Sequence, residues 1–528
     1  AYVLPLLREA RPLLATSYTR AAAAELRERT ALALGGEPDA YRTLLSTLHS
    51  EASRRCAALR LELGGKRVTR DDEEERVVDA EQDMDVVHRR IVDDEAKDGL
   101  GAWDQTRHRY PKDIGRPIRD RLARVLSGRE LRLAETEVQE DLAGRTQNGR
   151  VVRPDFTGLL ELALLHGSDR TLDLLAVDEA QDLTPLEWAL VDRWRRNTER
   201  LLVVGDPDQA IYGWAGADGS RLVRWLRDGR TARRLSQSWR VPRASHRLAR
   251  TVIADVQDRV DAPYAPAERE GRIDSLVPED AWLVAGGVQG AGGSVLVLSR
   301  TRDGTARAVQ ELLDADVPHI AERGRAVLGT AERPSRLLSV CRALDALASG
   351  RPPWATDARR LALCLTARGG PGFASPGAKT RIGTLLTGRH DRVSPDALAD
   401  AGLAVAALGP AWDRGDVKWW KDAVLSSQVL AEELLIVRDW HLSHGDRLLD
   451  VAGRVRVTTC HGSKGREADL VVLDARARWG RRAQSPEERD EDRRVLYVAL
   501  TRTRDRLVVV RGARDWLDQH GLLSIGAR

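Results

Sequence analysis

The stretch LLAVDEAQDLTP, residues 174–185, places four acidic or amide side chains directly after an apolar run, namely Asp178, Glu179, Gln181 and Asp182. Burying a carboxylate is costly unless a partner replaces the lost water. One chemistry that explains an acidic pair after a buried strand is nucleotide hydrolysis, in which one carboxylate holds Mg²⁺ and the next polarises the attacking water. The alternative is a helix cap, a position that Asp favours.

A second polar loop follows the next apolar run, in LLVVGDPDQAIYGWAGAD. Gln209 at this strand end is suited to sense a γ-phosphate or to position a water molecule. Tyr212 and Trp214 are aromatic residues of the kind that stack on unpaired bases. Trp214 also fits an ordinary core position, but the small residues on both sides of it favour an exposed ring.

The elements that position these residues alternate between strand and helix. LDLLAVDEA and RLLVVGDPD are predicted strands with the helix LTPLEWALVDRWRR between them, and RPLLATSY with TRAAAAELRERTALALGG forms an earlier pair. After Arg230 the pattern restarts, with strands in SVLVLSRT, VRVTTC, DLVVLDA and DRLVVVRG. This alternation predicts an α/β fold with parallel sheets whose chemistry lies at the carboxyl ends of the strands.

Two mainly helical stretches interrupt the alternation, one rich in charge, as in RDDEEER, and one broken by Gly and Pro. We therefore expect two α/β domains, each with a mainly helical inserted subdomain. The first domain is predicted at 1–50 and 151–232 with its insertion at 51–150, and the second at 233–330 and 451–528 with its insertion at 331–450.

The composition is that of an ordinary soluble protein. The chain has 528 residues, of which 42% are hydrophobic and 31% charged, and this length favours more than one domain. No apolar run approaches the roughly 18 residues that a bilayer span requires. The four cysteines are scattered, which argues against a disulfide framework or a structural zinc site and favours a cytoplasmic location. The net charge is only +4, so nucleic-acid binding would depend on local patches.

Several long motifs together resemble those of the UvrD/Rep-type superfamily 1 DNA helicases. VDEAQD, GDPDQAIYGWAGAD, TTCHGSKGRE and RRVLYVALTRTRDRL carry the resemblance, and TSYTRAAAAEL, TLHS, SQSWR and LVLSRTR resemble further members of the set, all in the family's order. The resemblance runs from about Leu13 to Leu507. Chance agreement of several long motifs in one order is negligible, unlike agreement with one short pattern.

The resemblance implies two RecA-like parallel-sheet domains with ATP held between them. It implies an ATP-dependent helicase that moves 3′ to 5′ along single-stranded DNA, with Mg²⁺ required and single-stranded or 3′-tailed duplex DNA as the partner. The form IYxWxGAD separates this branch from the superfamily 1 helicases of opposite polarity.

The resemblance also implies roles at the nucleotide. Asp178 corresponds to the Mg²⁺ ligand, Glu179 to the catalytic base and Gln209 to the γ-phosphate sensor. Arg240 and Arg502 correspond to two arginines that stabilise the transferring phosphoryl group, where a planar guanidinium suits spread charge.

Further positions correspond to contacts with the rest of the nucleotide and with DNA. Trp239 stands where the family usually has a Tyr stacked on adenine, and Glu467 corresponds to a residue that contacts the nucleotide sugar and phosphates. The implied DNA contacts are Tyr18, Thr19, His49, Tyr212, Trp214, Arg300 and His461.

Three further features depart from the family's pattern. Ala215 stands where the family usually has Arg, which weakens one link between the DNA-stacking Trp and the nucleotide site. The short separation of SQSWR and HGSKG implies a reduced second insertion. The phosphate-loop pattern GxxxxGK[ST] is absent, because GGKRVT has Arg where Ser or Thr would bind Mg²⁺ and GVQGAGGS precedes a strand instead of opening a helix.

The missing phosphate-loop pattern has two explanations, and the first is favoured because every other position of the nucleotide site is intact. In one, the chain starts just after the loop, and AYVLPLLREA is the helix that normally follows it. In the other, the protein is a variant that has lost ATP hydrolysis. The second account leads to a different function, that of a non-hydrolysing single-strand DNA-binding or regulatory protein with the shape of a helicase.

Overall fold

The computed structural model contains two main sheets of parallel strands, one in each of two units of the chain. The first unit is Ala1–Arg234 with Asp255–Ala262, and the second is Leu235–Ala254 with Pro263–Arg528. The structure describes residues 3–56, 99–126, 156–322, 327–329, 334–365, 373–387, 391–420, 431–476 and 485–511, apart from 10, 18–19, 115, 117, 229–231, 258, 376 and 414–415, together with short pieces between 131 and 151. The predicted insertion 51–150 thus lies mostly outside the described residues.

The first unit contains the elements that surround the acidic motif. Its strands are β1 (Leu13–Ser17), β2 (Leu45–Thr47), β3 (Thr146–Gln147), β4 (Arg150–Val151), β5 (Leu172–Val177) and β6 (Thr198–Val203). Its helices are α1 (Val3–Arg8), α2 (Arg20–Leu34), α3 (Leu48–Arg55), α4 (Gly99–Arg109), α5 (Ile118–Leu122), α6 (Phe156–His166), α7 (Pro185–Arg195) and α8 (Ser220–Arg227).

The second unit repeats the alternation and adds a long helical stretch. Its strands are β7 (Arg272–Leu276), β8 (Val295–Ser299), β9 (Ile320–Ala321), β10 (Val455–Thr459), β11 (Ala468–Asp474) and β12 (Thr503–Val510). Its helices are α9 (Arg243–Ala254), α10 (Pro278–Gly290), α11 (Arg302–Asp314), α12 (Arg336–Ala348), α13 (Ala355–Cys364), α14 (Ala378–Leu385), α15 (Pro395–Asp400), α16 (Val405–Asp413), α17 (Val417–Trp419), α18 (Ala431–His444), α19 (Leu448–Ala452) and α20 (Pro486–Leu500).

The main sheet of the first unit has the strand order β2-β1-β5-β6, and all its pairings are parallel. Strand β5 has an almost continuous apolar sequence because helices cover both faces of the sheet. Leu175 and Val177 point to one core, together with Trp188 and Trp194. The intervening Leu174 packs into a second, smaller core on the opposite face. The acidic motif therefore follows the buried central region of the sheet.

The sheet of the second unit has the strand order β7-β12-β11-β8-β10-β9, again with parallel pairing throughout. All five residues of β8 are buried. One face of the sheet shares a continuous core with the helices between 336 and 452, in which Trp412, Trp420 and Trp440 are buried. The predicted α/β class with two parallel sheets is thus confirmed. Of the helices that the structure describes, none is long and apolar enough to cross a membrane.

The chain passes from one unit to the other more than once. It enters the second unit at Leu235, forms α9 there, returns to the first unit for Asp255–Ala262 and re-enters the second unit at Pro263. We call residues 255–262 the return segment. Both ends of the return segment are therefore joined to chain that belongs to the second unit.

Candidate functional site

Polar loops follow β5 and β6 at the carboxyl edge of the first sheet, and backbone hydrogen bonds tie both loops to the strand ends. The Asp178 N–H donates to the Thr16 carbonyl at 2.8 Å, and the Val204 N–H donates to the Val177 carbonyl at 2.8 Å. The Ala180 N–H then donates to the Val204 carbonyl at 3.0 Å. Both loops consequently start from positions that the parallel sheet determines.

Glu179 has a backbone conformation that is rare for a residue with a side chain. Its φ of 53° and ψ of 38° lie in the left-handed region, where a non-glycine residue is strained. Helix capping does not explain this position, because α7 is capped by Thr184, which forms a capping box with Glu187. The half-buried carboxylates of Asp178 and Glu179 thus stand before the helix without serving as its cap.

Gln181 connects the acidic loop to the GDPDQ loop. Its side chain is fully buried, its amide nitrogen donates to the Glu179 carboxylate, and its amide oxygen accepts from the Asp206 N–H at 3.0 Å. Gly205 makes this approach possible, since a Cβ there would lie 2.5 Å from the Gln181 amide oxygen. The sequence shows a Gln two residues after the Glu, but its bridging role depends on the fold and was not predicted.

The GDPDQ loop is organised around the carboxylate of Asp206. One carboxylate oxygen accepts from the Asp208 N–H at 3.0 Å, and the other accepts from the Gln209 side-chain amide at 2.8 Å. Gln209 also donates its backbone N–H to the Asp206 carbonyl at 2.9 Å. The structure therefore brings Asp178, Glu179 and Gln209 to one edge of one sheet through Gln181 and Asp206.

The aromatic pair after this loop is neither core nor fully exposed. Tyr212 and Trp214 are half-buried, and their rings meet edge to face with centroids 6.1 Å apart. Gly216 ends their turn with a φ of 91°, and a Cβ added to it would contact Arg109 of α4. Ala215, where the family usually has Arg, is buried.

The remaining predicted DNA contacts lie at several strand ends. His49 is half-buried in α3, directly after β2. In the second unit, His461 opens a short turn after β10, and Arg300 follows β8 and donates to the Asp492 carboxylate at 2.7 Å. Tyr18 and Thr19 lie outside the described residues.

Trp239 and Arg240 of the second unit occupy an irregular segment that is anchored through its backbone. The Ser238 N–H donates to the Ala265 carbonyl at 2.8 Å, and the Gln237 side chain donates to the Pro266 carbonyl at 2.8 Å. Trp239 is nonetheless 79% exposed. An exposed ring on an anchored backbone is available for stacking on another aromatic group.

Glu467 lies among cations in the second unit. The Arg504 Nε atom donates to its carboxylate at 3.0 Å, and an Arg240 guanidinium nitrogen lies 3.7 Å from its second oxygen. Burial opposes ionisation, but the hydrogen bond from Arg504 and the charges of Arg240 and Arg502 together lower the pKa of Glu467. Glu467 is therefore ionised at neutral pH, and the role of Arg504 was missed from the sequence.

Arg502 is buried at the end of α20, and its guanidinium donates hydrogen bonds to acceptors within the protein. Its Nε atom donates to the Val498 carbonyl at 2.8 Å, and a terminal nitrogen donates to the Thr501 hydroxyl at 3.0 Å. Only 1% of the residue is exposed. Arg240, in contrast, is partly exposed beside Glu467.

The donor set at the first sheet suits a nucleotide-bound magnesium ion. Mg²⁺ at phosphate sites is usually held by one or two carboxylates together with phosphate oxygens and water, and Asp178 presents a carboxylate of this kind at a strand end. Within the described part of the chain no group of three or more acidic, His or Cys side chains is placed to hold a metal by itself.

Two sequence families account for most of the α/β parts of the chain. The UvrD/REP helicase N-terminal domain matches residues 6–228, and the UvrD-like helicase C-terminal domain matches residues 454–510. Together these matches cover more than half of the 528 residues. The chain belongs to the family of UvrD/Rep-type helicases.

Curated relatives are similar over parts of the chain. RecBCD enzyme subunit RecB of Mycobacterium tuberculosis is 33% identical over 129 residues, which are 22% of this chain and 12% of RecB. DNA helicase II of Escherichia coli is 38% identical over 79 residues, 15% of this chain and 11% of the relative. ATP-dependent DNA helicase UvrD2 of Mycobacterium bovis is 26% identical over 359 residues, 63% of this chain and 46% of the relative. Each match spans less than half of the relative's length.

We predict that Gly205→Ala destabilises the first unit. The added Cβ would lie 2.5 Å from the Gln181 amide oxygen and 2.9 Å from Leu222 Cδ1, and overpacking of this kind costs about 1–3 kcal/mol. Denaturant unfolding measures the loss. Gly287→Ala in α10 is the control, because a Cβ there meets nothing within 4 Å and alanine favours a helix. Stability of Gly205→Ala equal to that of the wild type would contradict the close approach.

Proposed function

We propose that this protein is an ATP-dependent DNA helicase that translocates 3′ to 5′ along single-stranded DNA. The observation that carries the proposal is the edge of the first sheet, where Gln181 links the carboxylate of Glu179 to the loop that holds Gln209. Family membership supports helicase activity, and the IYxWxGAD form supports the polarity. The proposal keeps the predicted domains, namely two RecA-like domains with helical insertions, and the predicted cytoplasmic location.

At the first sheet, Asp178 would hold the Mg²⁺ of the nucleotide, which supplies charge neutralisation on the phosphates. Glu179 would orient the attacking water and accept its proton. The hydrogen bond from the Gln181 amide restricts rotation of the Glu179 carboxylate. Gln209 would exchange its bond to Asp206 for one to the terminal phosphate. These side chains are preorganised by the sheet, which reduces the reorganisation needed at the moment of reaction.

The second unit would contribute base-stacking and cationic groups to nucleotide binding. The exposed Trp239 ring offers a face to adenine, and Arg240 offers a partly exposed guanidinium to phosphate oxygens. Arg504 and Arg240 keep Glu467 ionised, so Glu467 would accept hydrogen bonds from the ribose hydroxyls. We also retain Arg502 as a contributor to phosphate stabilisation.

DNA would bind along the strand ends and the aromatic turn. Tyr212 and Trp214 form an edge-to-face pair that can present an aromatic surface to an unpaired base. The other proposed contacts are Tyr18, Thr19, His49, Arg300 and His461.

The proposed activity is tested with the full-length gene product. We expect ATP hydrolysis that single-stranded DNA stimulates, and strand separation of a 3′-tailed but not of a 5′-tailed duplex. Hydrolysis without strand separation would support a translocase rather than a helicase. DNA binding with no stimulated hydrolysis would sink the motor hypothesis and favour a non-hydrolysing single-strand DNA-binding or regulatory protein.

We predict that Glu179→Gln removes hydrolysis while nucleotide affinity is retained. The amide keeps the size of the side chain but cannot accept a proton, and loss of general-base catalysis costs about 10²- to 10⁴-fold in rate. Phosphate release over time measures hydrolysis, and binding of a fluorescent nucleotide measures affinity. Glu28→Gln on the exposed part of α2 is the matched control and should hydrolyse at the wild-type rate. Equal loss of binding and turnover in Glu179→Gln would refute the role of a base.

We predict that Trp214→Ala weakens single-strand binding by about 1–3 kcal/mol, the value of one base–aromatic stack. Fluorescence anisotropy of a labelled oligonucleotide measures the change. Trp225→Ala is the control, because Trp225 packs on Trp188 in the same unit and should affect stability without changing affinity. If Trp214→Ala unfolds the protein at assay temperature while the folded fraction binds normally, Trp214 is a packing residue.

A further inference from the structure

The return segment is held on the first unit by a charged pair between Arg259 and Asp208. The Arg259 Nε atom donates to one carboxylate oxygen of Asp208 at 2.8 Å, and a terminal nitrogen donates to the other oxygen at 2.8 Å. Each side chain is only 9% exposed. A third nitrogen of Arg259 donates to Asp261 at 2.8 Å within the segment. The guanidinium therefore uses its fixed fork to hold the carboxylate of Asp208 in one orientation.

Asp208 belongs to the GDPDQ loop, so this pair reaches the proposed catalytic residues through continuous polar contacts. The Asp208 N–H donates to the Asp206 carboxylate, which also accepts from the Gln209 amide. The Asp206 N–H donates to Gln181, and Gln181 donates to Glu179. Displacing Asp208 would thus release constraints on both Gln209 and Glu179.

Stability alone is a weak explanation for such a pair. Removing two charges from water is expensive, and a shielded ion pair is often no more stabilising than apolar side chains of similar size. A bidentate pair does specify one geometry, because both oxygens and both nitrogens must align. Precise orientation of a loop is the property that a nucleotide-hydrolysing site requires.

We propose that Arg259 is a positioning residue for ATP hydrolysis. It acts through Asp208 to orient the GDPDQ loop, and so the Gln209 amide and, through Gln181, the Glu179 carboxylate. The inference rests on the proposed function, because it assigns Arg259 a part in that reaction. The return segment is continuous at both ends with chain of the second unit.

The Arg259 guanidinium remains charged over the pH range of an enzyme assay. Burial disfavours the charged guanidinium, but hydrogen bonds to Asp208 and Asp261 outweigh it and raise the pKa of Arg259. Substitution is therefore the means of testing the pair, because the guanidinium keeps its charge over that pH range.

The test compares Arg259→Gln, Arg259→Lys, Asp208→Asn and the double variant Asp208→Asn/Arg259→Gln in the full-length gene product. We expect kcat for DNA-stimulated hydrolysis, per folded molecule, to fall by about tenfold to a hundredfold in Arg259→Gln. KM for ATP and nucleotide affinity should change little, since the proposal places Arg259 on Asp208 and not on the nucleotide. The double variant should be no slower than the worse single variant, because both single changes break the same pair. Lysine keeps the charge without the fork and should restore only part of kcat.

A matched control separates positioning from stability. Arg221 forms a similar two-pronged pair with Asp192 in the same unit, at 2.9 and 2.6 Å. Arg221→Gln should lower the unfolding midpoint without changing kcat per folded molecule. Arg259→Lys is the variant that decides the outcome if Arg259→Gln does not fold.

Three results would overturn the inference, and they are distinguishable. If the wild type hydrolyses ATP and both Arg259 variants keep its kcat when corrected for the folded fraction, Arg259 is structural and the proposed function stands. If the wild type shows no DNA-stimulated hydrolysis, the proposed function and this role for Arg259 fail together. A kcat loss matched by an equal loss in the Arg221→Gln control would also overturn it.

Discussion

The buried side-chain amide of Gln181 fixes the positions of the two polar loops in the first unit. Gln181 is shielded from water, so its oxygen and its NH₂ group must both find partners within the protein. It finds them in two different loops, at the Asp206 N–H and the Glu179 carboxylate. The left-handed backbone of Glu179 thus persists because a neighbouring strand end supports it, which is the usual condition for strain at a functional site. Position 205 requires glycine, because a Cβ there would collide with the Gln181 amide oxygen.

The two units carry complementary chemistry. The edge of the first sheet presents carboxylates and amides, which suit a metal ion and a water molecule. The corresponding region of the second unit presents guanidinium groups around an ionised Glu467 and a widely exposed Trp239. A polyphosphate needs both kinds of group, since its charge must be neutralised and its attacking water activated.

Much of this arrangement was predictable from local patterns, and the rest depended on contacts between distant residues. Continuous apolar runs predicted β5, β8 and β11, because strands covered on both faces contain little else. The short strand β2 and the charged strand β7 have no such pattern, and they form because neighbouring strands offer them hydrogen bonds. The bridge made by Gln181 and the pair between Asp208 and Arg259, 51 residues apart, follow from strand order and chain path, which a local pattern does not contain.

Arg502 shows how a motif identifies a residue without determining its conformation. The resemblance places this arginine on the transferring phosphate, yet here its guanidinium satisfies the Val498 carbonyl at the end of α20. Helix ends have carbonyls without helical partners, and a cation there is stabilised by the helix dipole as well. From this buried position Arg502 still lowers the pKa of Glu467 through its charge. Two of its nitrogens donate to Val498 and Thr501, and these bonds engage only part of the guanidinium's set of N–H donors. Because only 1% of the residue is exposed, contact with a phosphate would require this side chain to become accessible.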